Sequence, residues 1–236
     1  MPSSAIIIPP SETSVDVSII DTKSYFGPFG VEYFLKPGPV GAHKTVGAAF
    51  YCFLVHHKPS NTRLLFDLAL RKDVENLSRS MHKSIEQGGW EVNVPTDIAD
   101  ILSSNTVPLE SINGIVWSHH HWDHIGDPST FPSTTSLIAE KWLSRTLSPD
   151  IIQIGGYAAV DYFKDGSFYF LDTPGHTIGH VSTLARTTAG DDSTFMLLGG
   201  DVAHHAGEFR PSPFVPMPAE IRPDPRKPAF QSNGNG

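Results

Sequence analysis

The stretch of sequence that decides the fold is residues 113–124, which read NGIVWSHHHWDH. The apolar residues 115–117 follow the turn residues Asn113 and Gly114, and they predict a buried strand that ends at a loop. Directly after this strand come four residues able to bind a metal, in the pattern H-x-H-x-D-H. No strand or helix needs so much imidazole for packing, and each neutral imidazole offers one lone pair, which suits zinc. The stretch therefore predicts a metal site at the end of a strand.

Side-chain directions in this stretch indicate two adjacent metals. Because a strand alternates its faces, His119 and His121 can point to one side together, whereas His120 points away and is not expected to be a ligand. Asp123 and His124 follow once the chain turns, and they can reach a second position nearby. The alternative is a solvated histidine-rich loop that binds metal adventitiously. The preceding strand and the acidic residue at a defined offset make that alternative the weaker one.

The length and composition are those of an ordinary globular protein. Its 236 residues, of which 39% are hydrophobic and 18% charged, predict one sizeable core and a single domain over residues 1–236. The formal net charge is −8 with histidines neutral. Since a nucleic-acid backbone or an anionic membrane demands a basic surface, neither is an expected partner.

Features that report on cellular location predict a cytoplasmic protein. The single cysteine, Cys52, lies in an apolar run and is expected to fill the core, because one cysteine cannot form an internal disulfide. The first ten residues lack the basic and long apolar segments of a secretory signal. No apolar run approaches the ~20 residues of a transmembrane helix.

The order of predicted elements favours a layered α/β sandwich. Strand-like runs separated by turn residues occupy residues 15–21, 31–36, 48–57, 63–70, 115–118, 136–139, 167–172, 180–186 and 194–198. Helical spacing of apolar residues is found at 74–85, 97–102 and 140–147. Strands come first, helices and strands then alternate, and strands return. That order suits two packed sheets flanked by helices better than a doubly wound sheet.

The last segment, residues 211–236, contains seven prolines. Proline at this density prevents a central strand or a regular helix. Residues 208–217 are expected to form an ordered loop, and residues 218–236 a disordered proline-rich tail.

Ligand-type side chains also occur at three other predicted strand ends. The motif PGHTIGH, residues 174–180, presents His176 on a Pro-Gly turn, and GGD, residues 199–201, presents Asp201 after two glycines. Asp67 follows the apolar run that begins at residue 63. Turns of these kinds are common individually. Imidazoles and carboxylates at four strand ends are together hard to explain as packing.

These motifs resemble those of the metallo-β-lactamase-fold hydrolases over residues 46–214. The family signature H-x-H-x-D-H, its separated histidine and its bridging aspartate are met by His119, His121, Asp123, His124, His176 and Asp201. Within the family, the chain is most similar to the lactonase branch, whose members open acyl-homoserine lactones. The resemblance implies an α/β fold of the αββα sandwich type, with the site at one edge of the sheets.

The resemblance also implies a role for each ligand, in a site with two Zn²⁺ ions. The first zinc would be held by His119, His121 and His176. The second would be held by Asp123 and His124. Asp201 would bridge both, and Asp67 would orient a ligand histidine. An imidazole at His121, where iron-binding redox relatives carry an acidic residue, favours a hydrolytic zinc pair.

The chain departs from the family pattern at the second zinc. The family supplies one more histidine after the bridging aspartate, but no histidine follows His205. The late strand and helix that would carry it are expected to be missing. The chain is then either a truncated form or one whose second metal has fewer protein ligands, unless His204 or His205 substitutes.

His204 has a further interpretation as a catalytic residue. Acyl-homoserine lactonases often carry a tyrosine three residues after the bridging aspartate, where it contacts the substrate carbonyl. His204 occupies that position and could donate a hydrogen bond to a developing oxyanion. The alternative is a loop histidine without chemistry.

The function implied is zinc-dependent hydrolysis of a small-molecule substrate. A metal-bridging hydroxide would open a lactone or related ester, and Asp123 would relay the proton. Three alternatives stay open: a thioesterase, a lactamase, or a truncated metal-binding remnant with little activity. The sequence does not predict the oligomeric state.

Overall fold

Two β-sheets form the framework of the computed structural model, which describes residues 6–35, 44–138 and 151–205 and positions 208, 212, 216 and 220. The strands of the first sheet are β1 (Asp16–Gly30), β2 (Thr45–His57), β3 (Thr62–Phe66), β4 (Glu91–Asn93), β5 (Gly114–Val116) and β6 (Ser136–Ile138). Those of the second sheet are β7 (Ile151–Ile154), β8 (Tyr157–Asp161), β9 (Phe168–Asp172), β10 (Val181–Arg186) and β11 (Phe195–Leu198).

The helices are short. They are α1 (Arg79–Gly88), α2 (Ile98–Ser104) and α3 (Trp122–Ile125), with 3₁₀ turns at Val31–Tyr33, Val74–Asn76, Leu109–Ser111 and Pro128–Thr130. Within the described ranges, no helix has the length and apolar character needed to cross a membrane.

The topology of the first sheet brings two predicted site segments together. Its strand order is β4-β1-β2-β3-β5-β6, and that of the second sheet is β11-β10-β9-β8-β7. The β3–β5 and β5–β6 pairs are parallel, and all other pairs are antiparallel. Parallel strands end at the same edge, so Asp67 after β3 and His119 after β5 emerge side by side. The backbone N–H of Asp67 donates to the carbonyl of Val116 over 2.8 Å.

One hydrophobic core lies between the two sheets. It is built from buried residues of both, among them Val55, Leu64, Phe66, Val116, Ile138, Phe168, Phe170, Val181, Ala185 and Leu198. On the outer face of the first sheet, helix α2 buries Ile98, Ala99 and Leu102 against a second cluster. Asp97 begins this helix, because its side chain accepts from the backbone N–H of Asp100 over 2.9 Å. The layered α/β sandwich predicted from the sequence is therefore confirmed.

Several predicted elements differ in their bounds or type. The strand predicted at 31–36 is wrong over its described residues, 31–35: β1 runs on to Gly30, Val31–Tyr33 form a 3₁₀ turn, and residues 34 and 35 belong to no strand. The helix predicted at 74–85 is a turn at Val74–Asn76 followed by α1, which Ser78 caps. Strands β4, β7 and β8 were not predicted. The helix predicted at 140–147 lies outside the described residues, as do the 208–217 loop and the 218–236 tail apart from positions 208, 212, 216 and 220.

Candidate metal centre

The predicted ligands meet where strands of both sheets end. His119 and His121 follow β5, and helix α3 carries Asp123 and His124 immediately afterwards. From the second sheet, the loop after β9 carries His176 and the turn after β11 carries Asp201. The chain thus contributes ligand-type side chains to one place from three separate segments.

One set of ligand atoms, the first ligand group, comes from His119, His121, His176 and Asp201, and these atoms lie within 4.8 Å of one another. His176 Nε2 is 2.9 Å from His121 Nδ1 and 3.4 Å from Asp201 Oδ2. His119 Nε2 is 4.0 Å from the same carboxylate oxygen. Three imidazole nitrogens and one carboxylate oxygen therefore converge, as a tetrahedral zinc site requires.

The second ligand group comprises Asp123, His124 and Asp201, whose ligand atoms also lie within 4.8 Å of one another. His124 Nε2 is 3.1 Å from Asp201 Oδ1 and 3.9 Å from Asp123 Oδ2. Asp201 thus turns Oδ2 toward the first ligand group and Oδ1 toward the second. A carboxylate that presents one oxygen to each group has the position of a bridging ligand.

The surroundings of one buried nitrogen atom indicate whether these residues could bind a metal. His119 Nε2 is buried and has no hydrogen-bond partner among the described residues. The other ring nitrogen, Nδ1, lies 3.0 Å from Ser118 Oγ. Because the Ser118 hydroxyl donates to Asp67, it accepts from His119 Nδ1–H, and Nε2 keeps its lone pair. A buried lone pair without a partner is costly, and a bound zinc would satisfy it. The donor set fits zinc.

The charges in the two ligand groups are set by burial and by the ion pair between His124 and Asp201. Burial lowers the pKa of His119, His121 and His176, so these imidazoles are neutral and offer lone pairs at neutral pH. Burial also opposes charge on His124, but its hydrogen bonds to Asp201 and Asp67 outweigh that effect and raise its pKa. For Asp201, burial is outweighed by the hydrogen bond from His124, and the pKa of the carboxyl is lowered. The three neutral imidazoles beside an ionised carboxylate are the donors that a divalent cation prefers, whereas His124, whose pKa is raised, would have to release its Nε2 proton to bind a metal.

Asp67 fixes the orientation of His124, in line with the expectation for this residue. The buried carboxylate accepts from the Ser118 backbone N–H over 2.7 Å, from the Ser118 hydroxyl over 2.8 Å and from His124 Nδ1–H over 2.8 Å. With Nδ1 engaged in this way, Nε2 of His124 faces Asp201. Through Ser118 the same carboxylate also sets the tautomer of His119.

The remaining histidines of the region separate into two kinds. His204 Nε2 lies 3.2 Å from Asp201 Oδ2, and its ring is 5.0 Å from that of His176. The structure therefore places His204 at the rim of the first ligand group. His120 and His205 are exposed, and neither belongs to a ligand group among the described residues.

The sequence indicates that His180, the second histidine of PGHTIGH, supports a ligand rather than binding a metal itself, but two contacts at the site could not be predicted from it. The buried His180 accepts a hydrogen bond from the Asp201 backbone, a contact that no local pattern reports. The ring of Phe34 lies 5.2 Å from that of His204 and joins an aromatic cluster with Phe29 and Tyr33. The sequence suggests residues 25–29, which include Phe29, as a pocket wall, whereas Tyr33 and Phe34 were missed because the 31–36 segment was predicted as a strand.

Comparisons with known proteins identify the family. No family model matches the sequence. The chain is 43% identical over 252 residues to gamma-lactamase FDB1 of Fusarium pseudograminearum (strain CS3096), an alignment that covers 93% of this chain and 60% of that protein. It is 42% identical over 190 residues to gamma-lactamase MBL2 of Gibberella moniliformis (strain M3125 / FGSC 7600), covering 69% of this chain and 79% of that protein. The chain thus spans about 60% of the length of the first of these relatives.

A solved structure supports the fold. It is an N-acyl homoserine lactone hydrolase with the product N-hexanoyl-L-homoserine bound at its catalytic metal center. It matches with a TM-score of 0.51 and 18% identity, over 80% of this chain and 74% of that one. The sandwich, with histidine and aspartate groups where its strands end, defines the fold class. Within that class, the chain belongs to the metallo-β-lactamase-fold hydrolases.

Proposed function

We propose that this chain is a zinc-dependent hydrolase that opens the ring of a small γ-lactam or lactone. The observation that carries the proposal is the carboxylate of Asp201, which presents one oxygen to each ligand group. The sequence alone favoured a lactone, with a lactam as an alternative. Two relatives at 42–43% identity are named gamma-lactamases, and they support the lactam as substrate.

Six side chains would hold two zinc ions. These are His119, His121 and His176 for the first, Asp123 and His124 for the second, and Asp201 for both. A zinc pair, when bound, supplies Lewis acidity toward a carbonyl oxygen and lowers the pKa of water toward neutrality. The ring opening of a lactam or a lactone needs both effects, because amide and ester carbonyls are weak electrophiles.

Asp123 is the proposed proton carrier. Burial raises the pKa of its carboxyl in the metal-free chain, and because a carboxylate has two oxygens, one can carry a proton while the other faces the second ligand group. Asp123 Oδ2 lies 3.9 Å from His124 Nε2, at the edge of the second ligand group. A proton accepted at this oxygen during attack can then be delivered to the leaving nitrogen or oxygen of the opened ring.

His204 is the proposed contact for the substrate carbonyl. Its Nε2–H donates to Asp201 Oδ2 over 3.2 Å in the structure, and the ring is exposed enough to turn toward a substrate. Replacing it, as His204→Ala, should lower kcat/KM by about 10²-fold, as loss of an oxyanion donor does. Zinc content should stay unchanged. A matching loss of zinc would show instead that His204 is itself a metal ligand.

An aromatic wall beside His204 supports a small apolar ring as substrate. Phe34 packs against Phe29 and Tyr33, and Trp90 contacts both of the latter. Tyr33 is 64% exposed, so this wall has apolar surface available for contact with a ligand. Aromatic side chains bind flat apolar groups by stacking or by edge contacts.

The function is tested by a substrate panel on the zinc-loaded chain. The panel contains a γ-lactam, a γ-lactone, a thioester and an open-chain amide, with His119→Ala as the inactive variant. His120→Ala is the matched control, since His120 is exposed and outside both ligand groups.

We expect turnover of the lactam or the lactone. His119→Ala should lose zinc and at least about 10³-fold in rate, while the control should stay within about twofold of the wild type, as surface changes do. Undiminished activity in His119→Ala would overturn the site assignment. Turnover of the thioester alone would replace the proposal by a thioesterase. Zinc binding without any turnover would indicate a metal-binding remnant.

A further inference from the structure

We infer that His180 is a positioning residue that holds Asp201 between the two ligand groups through a closed chain of hydrogen bonds. The inference rests on the proposed function, since it assigns how the shared ligand is kept in place. His180 is fully buried, at 0% exposure, and is not a member of either ligand group. The role of this side chain is therefore not that of a ligand.

The contacts of His180 determine its tautomer. The backbone N–H of Asp201 donates to His180 Nε2 over 3.0 Å. A backbone N–H can only donate, so Nε2 must be the unprotonated nitrogen. The neutral ring then carries its hydrogen on Nδ1, which donates to Thr173 Oγ1 over 2.9 Å. The lone pair on Nε2 is engaged by Asp201, and it is not free to bind a metal.

The chain of hydrogen bonds continues from Thr173 to Ser182 and returns to the segment that carries Asp201. Thr173 accepts from His180 and has one hydroxyl hydrogen, which lies between two acceptors, Ser182 Oγ at 3.0 Å and the His180 carbonyl at 3.3 Å. The Ser182 hydroxyl itself donates to the Gly199 carbonyl over 2.9 Å, so its oxygen is available to accept from Thr173. The hydrogen bonds thus begin at the N–H of Asp201 and end at the C=O of Gly199. These are the two ends of residues 199–201, here called the Asp201 turn.

The same chain of hydrogen bonds also holds the loop that carries His176. Thr173 stands at the start of that loop, and its backbone N–H donates to the carbonyl of His180 over 3.0 Å. Thr173 and Ser182 are buried, at 6% and 0% exposure, so water does not compete for these bonds. One buried network therefore fixes both segments that the second sheet contributes to the first ligand group.

Steric contact at Gly200 is independent support. Gly200 has φ +55°, and a Cβ built there would lie 2.8 Å from His180 Nε2 and 2.6 Å from Ser118 Cβ. The Asp201 turn therefore lies directly on the His180 ring, with no room for a side chain. Polar and steric contacts fix the same turn. A shift of this turn would move both carboxylate oxygens of Asp201 away from their groups.

A pair of amide variants separates positioning from general packing. In His180→Gln, the amide reaches the place of Nε2, and its oxygen can accept from the Asp201 N–H. In His180→Asn, the amide reaches only the place of Nδ1, so it can still donate to Thr173 but leaves the Asp201 N–H without an acceptor. Both variants are polar, but asparagine is one methylene shorter, so packing alone would lower the stability of His180→Asn further without changing the cobalt spectrum of the metal that it still binds.

The measurements are zinc affinity, by competition with a chelator, and the absorption spectrum of the cobalt-substituted chain. His180→Asn should lose about 10–100-fold in zinc affinity, the usual effect of removing a residue that orients a ligand, and its cobalt spectrum should change. His180→Gln should stay within a few-fold of the wild type and keep the wild-type spectrum. Equal losses in both variants, or no loss in either, would overturn the inference.

A third measurement needs neither metal nor a variant. Long-range ¹H–¹⁵N spectra of the metal-free wild type should show His180 as the neutral Nδ1–H tautomer, and the Nε2–H tautomer would overturn the inference even if both variants failed to fold. None of these readouts uses a substrate. A chain that binds zinc as described but turns over no substrate would contradict the proposed function and leave this inference standing.

Discussion

Replacement of Asp67 by asparagine removes one buried negative charge while it preserves the shape of the side chain. Asp67 accepts three hydrogen bonds, two of them at Oδ2, from the Ser118 hydroxyl and from His124 Nδ1. An asparagine oxygen can replace Oδ1, but the NH₂ group then faces two donors. Asp67 has φ +60°, a conformation that asparagine adopts more readily than most residues, so the backbone is not strained further.

The magnitude follows from the groups left without an acceptor. Each buried unsatisfied donor costs about 1–3 kcal/mol. Because the Ser118 hydroxyl can rotate toward another acceptor, the loss for the two donors is less than their full sum, and Asp67→Asn should lower the free energy of unfolding by roughly 2–4 kcal/mol. His124 loses the partner that orients its ring, and zinc affinity should fall about 10–100-fold. The substitution therefore weakens metal binding without removing any of the proposed ligands.

Two assays and one control decide this prediction. Urea unfolding of the metal-free chain gives the stability change, and chelator competition gives the zinc affinity. Asp191→Asn removes an exposed carboxylate from the turn between β10 and β11 and should change neither quantity. A zinc affinity for Asp67→Asn within twofold of the wild type would refute the argument that Asp67 orients a ligand.

Three further predictions concern stability and reactivity. Gly200→Ala and Gly89→Ala both place a side chain at positive φ, but of the two sites only Gly200 has a close neighbour, Ser118 Cβ at 2.6 Å from the added Cβ. Urea unfolding should show that the free energy of unfolding falls by about 1–2 kcal/mol for Gly89→Ala and by clearly more for Gly200→Ala. Equal losses would contradict the contact. Cys52 is fully buried, and burial raises the pKa of its thiol. A thiol reagent at pH 8 should therefore label the chain only when urea unfolds it. Rapid labelling of the folded chain would place Cys52 outside the core. Asp97→Ala removes the cap of α2 and should cost about 1 kcal/mol in urea unfolding, whereas unchanged stability would show that the cap contributes nothing.

The local part of the metal centre could be predicted from sequence because four of its ligands lie within six residues after a strand. His119 and His121 both belong to the first ligand group, as expected, but β5 ends at Val116 and residues 118–120 form a bend, so strand alternation is not what brings them together. The later turn places His124 in a different group. The assignment of Asp201 to both groups came from the family resemblance, since no local pattern indicates which carboxylate is shared.

Contacts between distant segments could not be predicted in this way. His180 acquires its role only because the end of β11 lies against the start of β10, which depends on the packed sheet. Strand β4 has three residues and is defined by its pairing with β1. The β7–β8 hairpin did carry a signal, because Gly155 and Gly156 at positive φ separate two apolar runs, and a glycine pair in that setting is typical of a hairpin turn.

The most direct test of the account is to locate zinc by anomalous scattering at its absorption edge in crystals of the zinc-loaded chain. We expect two peaks on either side of the Asp201 carboxylate. One should lie among His119, His121 and His176, and the other beside Asp123 and His124. A single peak would contradict the shared role of Asp201. Peaks away from both ligand groups, or none, would contradict the metal centre itself.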